Sequence, residues 1–119
     1  MRQMSFSLTV DQMLARTKCV TRRTGWRDLK PGTLLQAVEK SQGLKKGEKV
    51  RKLGVIRVID VRREELIRID AADMAREGLG RHEPGQFVRW WCDKNGGDQW
   101  QVVTRIEFEH VNAPEVAVL

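Results

Sequence analysis

Apolar and polar residues alternate through Met4-Ser5-Phe6-Ser7-Leu8, the pattern of a half-buried strand. The period then changes. Thr9 offers a helix cap with Gln12 three residues on, as in a capping box. A short helix over 10–15 would turn Val10, Met13 and Leu14 toward the core. From Arg16 to Trp26 no period survives: the segment is polar, basic and rich in hydroxyls, and reads as a loop or irregular extended stretch. Lys30-Pro31-Gly32 is a turn, because proline presets the first turn position and glycine tolerates the second. Thr33 to Val38 reads as a strand, and Gly43 to Lys49 as the basic tip of a long hairpin. Leu53 to Val61 is the strongest strand signal, dense in β-branched residues.

Asp70 to Gly78 predicts a short helix, with Asp70 as N-cap and Gly78 as its stop. Pro84 suits the first turn of another helix, running to about Asp93 and closed by Asn95-Gly96-Gly97. Val102 to Val111 is a last strand, alternating from Thr104 onward, and beyond Asn112 the chain should fray. Several strands, a few short helices and no regular strand–helix alternation predict an α+β fold with a small mixed, mostly antiparallel barrel-like sheet.

Length and composition narrow this further. The 119 residues suit one domain spanning 1–119, and a hydrophobic fraction of 40% suits a single packed core. No run approaches the roughly 18 apolar residues of a membrane span, and the start lacks the apolar stretch of a secretory signal. Cys19 and Cys92 have no ligand spacing and are too few for a disulfide scaffold, so they read as reduced thiols of a cytoplasmic protein. Lys and Arg total 22 against 16 acidic residues, a formal charge of +6. Such a surplus fits phosphate backbones or an anionic surface, and it bears on partners rather than on fold.

Two places carry candidate chemistry. Lys18 and Thr21 are three residues apart, with Arg16, Arg22 and Arg23 beside them. A lysine deprotonates a threonine hydroxyl only when burial or nearby cations lower its pKa, and here the cations are at hand. The same cluster could instead hold phosphates, or be a solvated basic loop. Glu77 falls in the last turn of a predicted helix, where a carboxylate opposes the helix dipole. A residue set against a local rule hints at function; an exposed glutamate that tolerates the small cost is the alternative. Trp26, next to the basic segment, is the candidate for stacking on a base. Phe87, Trp90 and Trp91 read chiefly as core. His82 and His110 have no acidic or cysteine partner at ligand spacing, and no phosphate-binding loop, dinucleotide fingerprint or zinc-protease motif is present.

Taken in order, these segments resemble the ASCH family. The carrying residues are Ser5-Phe6-Ser7-Leu8 and its short helix, Lys18-Cys19-Val20-Thr21-Arg22-Arg23, and Lys30-Pro31-Gly32 before a strand. Val55 to Val61 then leads through Arg63-Glu64-Glu65-Leu66 to Ala75-Arg76-Glu77-Gly78, followed by the Phe87 and Trp90 helix and Val103 to Phe108. The resemblance implies a PUA-like β-barrel with flanking helices and a cleft holding the motif loop, and a link to RNA. Some bacterial members of that family are small amidohydrolases that remove the acetyl group from N-acetylated cytidine with a Lys, a Thr three residues later and a Glu on a later helix. Those positions correspond to Lys18, Thr21 and Glu77 as catalytic residues, with Arg22, Arg23, Trp26, Lys45 and Lys46 expected to bind substrate or RNA. Other members are ribonucleases or non-catalytic nucleic-acid-binding modules. Two departures concern substrate identity: Ala15-Arg16-Thr17 stands ahead of Lys18 where the family often has a glycine, and the basic loop around Lys45 and Lys46 is an addition. The expected partner is RNA or a modified nucleoside, with no membrane, no metal and no cofactor.

Overall fold

The computed structural model describes residues 1–112. The tail expected to fray lies outside them. The elements run β1 (Arg2–Ser5), α1 (Val10–Leu14), β2 (Val20–Arg23), β3 (Leu34–Val38), β4 (Lys52–Glu65), a 3-10 turn (Leu66–Arg68), α2 (Ala71–Arg76), α3 (Pro84–Asn95) and β5 (Val102–Val111). The five strands form one sheet in the order β1-β3-β4-β5-β2. β1 and β3 are parallel and every other pair is antiparallel. The architecture is the mixed, mostly antiparallel α+β sheet expected.

Two apolar clusters sit on opposite sides of β5. Met4, Phe6, Leu35, Ile56, Val58, Ile106 and Phe108 fill the concave side of the curled sheet. Leu66, Met74, Phe87, Trp91 and Val103 pack on the other side, under α2 and α3. β5 therefore alternates between two cores, and Val103, Thr104, Arg105 and Ile106 are all buried.

A bulge in β4 sets which side chains face which cluster. Val58 pairs with Phe108 and Asp60 with Glu107, so Ile59 is extra and half-exposed. One inserted residue bends a strand and inverts its alternation. Before the bulge Ile56 and Val58 face the concave side; after it Val61 and Arg63 do.

Several local expectations need correction. The opening strand is Arg2–Ser5, and Phe6 is buried after the chain has left the sheet. The basic segment is not all loop: Val20–Arg23 forms edge strand β2, paired with β5. Its polar sequence hid this, because Arg22 is buried among carboxylates on one face while Thr21 and Arg23 stand over Ile106 and Phe6 on the other. Thr9 makes no capping bond, Leu14 is 50% exposed, and the chain leaves the helix through Arg16 at φ 60. A capping box does occur, at Glu83 and Gln86 of α3. The Asp70 carboxylate accepts from the Asp73 amide at 2.8 Å, as the cap reading required.

Candidate functional site

The site grows from the free edge of β2, where the chain is tied to two elements at once. The Cys19 amide donates to the Arg76 carbonyl at the end of α2 (2.7 Å), and the Cys19 carbonyl accepts from the Phe108 amide of β5 (2.8 Å). His110 Nε2 lies 2.8 Å from the Lys18 carbonyl. These ties bring Lys18 under the C-terminus of α2. There Lys18 Nζ donates to Glu77 Oε1 at 2.6 Å and to the Glu77 carbonyl at 3.0 Å. A cation at a helix C-terminus satisfies an otherwise orphaned carbonyl. It also explains why Glu77 is tolerated against the dipole: its carboxylate is held by Lys18 on one oxygen and by Arg22 on the other, at 3.0 Å.

Gly78 makes the approach of these segments possible. Its φ is +82, and a Cβ there would lie 2.8 Å from Gln12 Cβ and 3.3 Å from Lys18 Cβ. Only glycine fits both the left-handed conformation and the gap.

Burial decides against a solvated basic loop. Lys18, Thr21, Arg22 and Glu77 are 3%, 4%, 4% and 2% exposed. Their charges are balanced by a network that extends beyond the motif. Asp73 accepts from Arg22, from Arg105 Nε and NH2 (2.7 and 2.9 Å) and from Arg76 (2.9 Å). Glu64 lies 3.3 Å from Arg22 and 3.6 Å from Arg105. Three buried cations, Lys18, Arg22 and Arg105, with Arg76 at the rim, thus meet three carboxylates, Glu64, Asp73 and Glu77. Hydrogen bonding from Arg105 above all, with Arg22 and Arg76, holds the Asp73 carboxyl well below the usual carboxylate range despite its burial.

Lys18, Thr21, Arg22, Arg23 and Glu77 line one cleft of about 210 Å³, together with the aromatic rings of Phe87 and Trp90. That is smaller than the roughly 300–1,000 Å³ typical of sites for drug-sized ligands. Burial pushes the Lys18 amine below the ordinary lysine value; Glu77 opposes the shift, and the charges of Arg23 and Arg22 add to it. Arg23 Nε donates to Thr21 Oγ1 at 3.0 Å, and its guanidinium lies over the Phe6 ring at 4.7 Å. Desolvation of its half-buried side chain lowers the Arg23 pKa to about 10, and the charge of Glu77 opposes the shift. Arg22 Nε is buried without an acceptor, leaving one donor at the cleft wall.

Three expected site residues lie elsewhere. Trp26 is outside the cleft lining, in a left-handed conformation (φ 65), with the Arg2 guanidinium 4.2 Å above its ring. Lys45 and Lys46 are exposed on the connection between β3 and β4, also away from the lining. Conversely, Asp73, Glu64 and Arg105 escaped the sequence reading. Asp73 sits in the first turn of α2, where an acidic residue is ordinary. A usable signal was Arg105, a charge set between Val103 and Ile106 in a strand with apolar residues on both faces.

No protein-family model matches the chain, and no curated protein matches it by sequence. Solved structures do match by shape. An ASCH domain from Lactobacillus crispatus superposes with a TM-score of 0.58 at 13% identity, covering 92% of this chain and 78% of that one. The fold is that of an ASCH domain. A DUF984 protein from Enterococcus faecalis gives a TM-score of 0.62 at 14% identity with the same coverage. At such identity the likeness establishes architecture alone, and chemistry has to be read from this chain's own side chains. Among the described residues, no helix is long and apolar enough to cross a membrane.

Proposed function

We propose that the ASCH-like cleft binds a cytidine-like base, as a nucleoside or within RNA, and hydrolyses an acyl amide on its exocyclic nitrogen. One observation carries this reading: a buried lysine held 2.6 Å from a buried glutamate, in the same small cleft as a threonine hydroxyl and an arginine. A lysine kept below its ordinary pKa holds a larger share of the neutral amine that a general base needs. The cleft is too small for a duplex and has aromatic walls in Phe87 and Trp90.

In this mechanism Thr21 Oγ adds to the acyl carbon while its proton passes to Lys18 Nζ. Arg23, already bonded to Thr21, stabilises the developing oxyanion. The bond from the acyl carbon to the amine nitrogen then breaks, and Lys18 returns the proton to that nitrogen before its bond to Glu77 re-forms. Water releases the carboxylic acid from Thr21 by the same proton path. No hydrogen bond joins Lys18 to Thr21 without substrate, so the base must trade its hold on Glu77 for the hydroxyl when substrate arrives. Such bonds commonly tighten only in the substrate complex.

A second reading, a non-catalytic RNA-binding module, is favoured by one feature. Glu77 engages Lys18 and Arg22 with both oxygens, as a purely structural ion pair would. Turnover of N4-acetylcytidine, followed by acetate release, separates the two. Lys18→Met and Thr21→Val should lower kcat by about 10²–10⁴ with little change in substrate affinity. In the wild type the rate should rise with pH, with a midpoint below the ordinary lysine value. A folded wild type that turns over no acylated cytidine would leave the binding module as the function.

A further inference from the structure

The register of the sheet lays out a second row of cations next to the cleft. Arg23 of β2 is the partner of Thr104 in β5, and Thr104 is the partner of Arg63 in β4. Cross-strand partners share a face, so these side chains stand together on the concave side, continuing from Thr21 and Arg23 at the cleft wall. Arg63 NH1 donates to the buried Thr104 hydroxyl at 2.6 Å, and NH2 donates to the Val102 carbonyl at 3.2 Å. The guanidinium is thereby held in place by neutral groups. Arg27, exposed in the turn that follows β2, adds a third cation at that end of the sheet; partial desolvation, and then the charge of Arg27, hold Arg63 below the ordinary arginine value. Among the described residues, none of Arg23, Arg27 and Arg63 has a carboxylate within ion-pair distance.

Cations with no carboxylate in direct contact repel one another, and a bound anion relieves that repulsion. We infer that Arg23, Arg27 and Arg63 form a track for phosphate attached to the nucleoside in the cleft, with Thr104 positioning Arg63. The ligand is then a nucleotide or an RNA strand rather than a free nucleoside. This rests on the nucleoside reading of the cleft. Three adjacent strands span about 10 Å, the reach of one or two successive phosphates. Arginine forks suit phosphate oxygens, which they bind in pairs of parallel bonds.

The test is binding by calorimetry at several salt concentrations. The probes are cytidine, its 5′- and 3′-monophosphates and a single-stranded pentanucleotide with one cytidine. The proteins are the wild type, Arg63→Ala, Arg27→Ala and, as a control on the opposite face, Arg62→Ala. The phosphorylated probes should bind at least tenfold more tightly than cytidine. Arg63→Ala and Arg27→Ala should each lower the ratio of pentanucleotide to cytidine affinity about tenfold, and flatten the salt slope by about 0.7 for each phosphate no longer neutralised. A gain already present with one monophosphate assigns the track to a nucleotide's own phosphate; a gain seen only with the pentanucleotide assigns it to the strand. Equal affinity for cytidine and all phosphorylated probes would overturn the track while leaving the nucleoside cleft standing. So would losses no larger than those of Arg62→Ala, or equal competition by polyglutamate. Failure of every probe, cytidine included, would overturn both.

Discussion

Two neighbouring rows of the same sheet use arginine in opposite ways. In one row Arg22, Arg105 and Arg62 are cross-strand partners over β2, β5 and β4; in the next, on the other face, stand Arg23, Thr104 and Arg63. Like charges directly opposite each other destabilise a sheet. The first row is neutralised by Glu64, Asp73 and Glu77, and its Arg22 and Arg105 are buried. The second row has no such carboxylates, its Arg63 is exposed, and Arg23 is only half-buried. Buried charge requires partners, whereas charge at a rim is free to meet a ligand. Residue type alone does not distinguish a structural arginine from a binding one; the carboxylates that α2 and the end of β4 bring to one face do.

The largest expected effect falls on the neutralised row. Asp73→Asn leaves Arg22, Arg105 and Arg76 short of a shared carboxylate, and should lower unfolding free energy by about 3–5 kcal/mol in denaturant titration. The pH dependence has a definite sign. Because the folded-state pKa of Asp73 is depressed, its contribution is fully present above the ordinary carboxylate pKa of about 4. It is lost as pH falls below that value toward the lower folded pKa. In Asp73→Asn the acid limb of the stability profile should therefore flatten. An unchanged midpoint and an unchanged acid limb would show that the arginines do not depend on Asp73.

Gly78→Ala should come next, costing about 1–3 kcal/mol through the left-handed strain and the close approach to Gln12. It should also displace Lys18 from Glu77 and reduce turnover or nucleoside binding, in contrast to an Ala substitution at Gly25, which has open space around it and no positive φ. Equal stability of the two variants would mean that α1 and the start of β2 shift freely.

The smallest effect is expected in the row without counter-charge. Arg27→Ala should change stability by no more than about 0.5 kcal/mol. Arg63→Ala should cost at most about 1 kcal/mol, since the Thr104 hydroxyl and the exposed Val102 carbonyl each lose one donor. Thermal unfolding of both checks this. A loss as large as that of Asp73→Asn would make the second row structural as well and erase the contrast.

Much of the scaffold was legible in the amino-acid order because local signals suffice for it. The boundaries of β5, the Asp70 cap, the glycine stop at Gly78 and the proline start of α3 each follow from the period or from one residue's backbone preference. The resemblance carried by Lys18, Thr21, Arg23 and Glu77 named residues that do line one cleft. What stayed hidden depends on contacts between distant segments. β2 is a strand only because β5 supplies its partner. Arg22 is buried only because Glu77 and Asp73, more than fifty residues away, come to meet it. The least legible feature is the bulge at Ile59. Arg62 and Arg63 are chemically identical neighbours, and pairing across β4 and β5 assigns Arg62 to the neutralised face and Arg63 to the one left open. Alternation along a strand has a period of two, so one inserted residue exchanges the faces, and where that insertion falls is set by the partner strand.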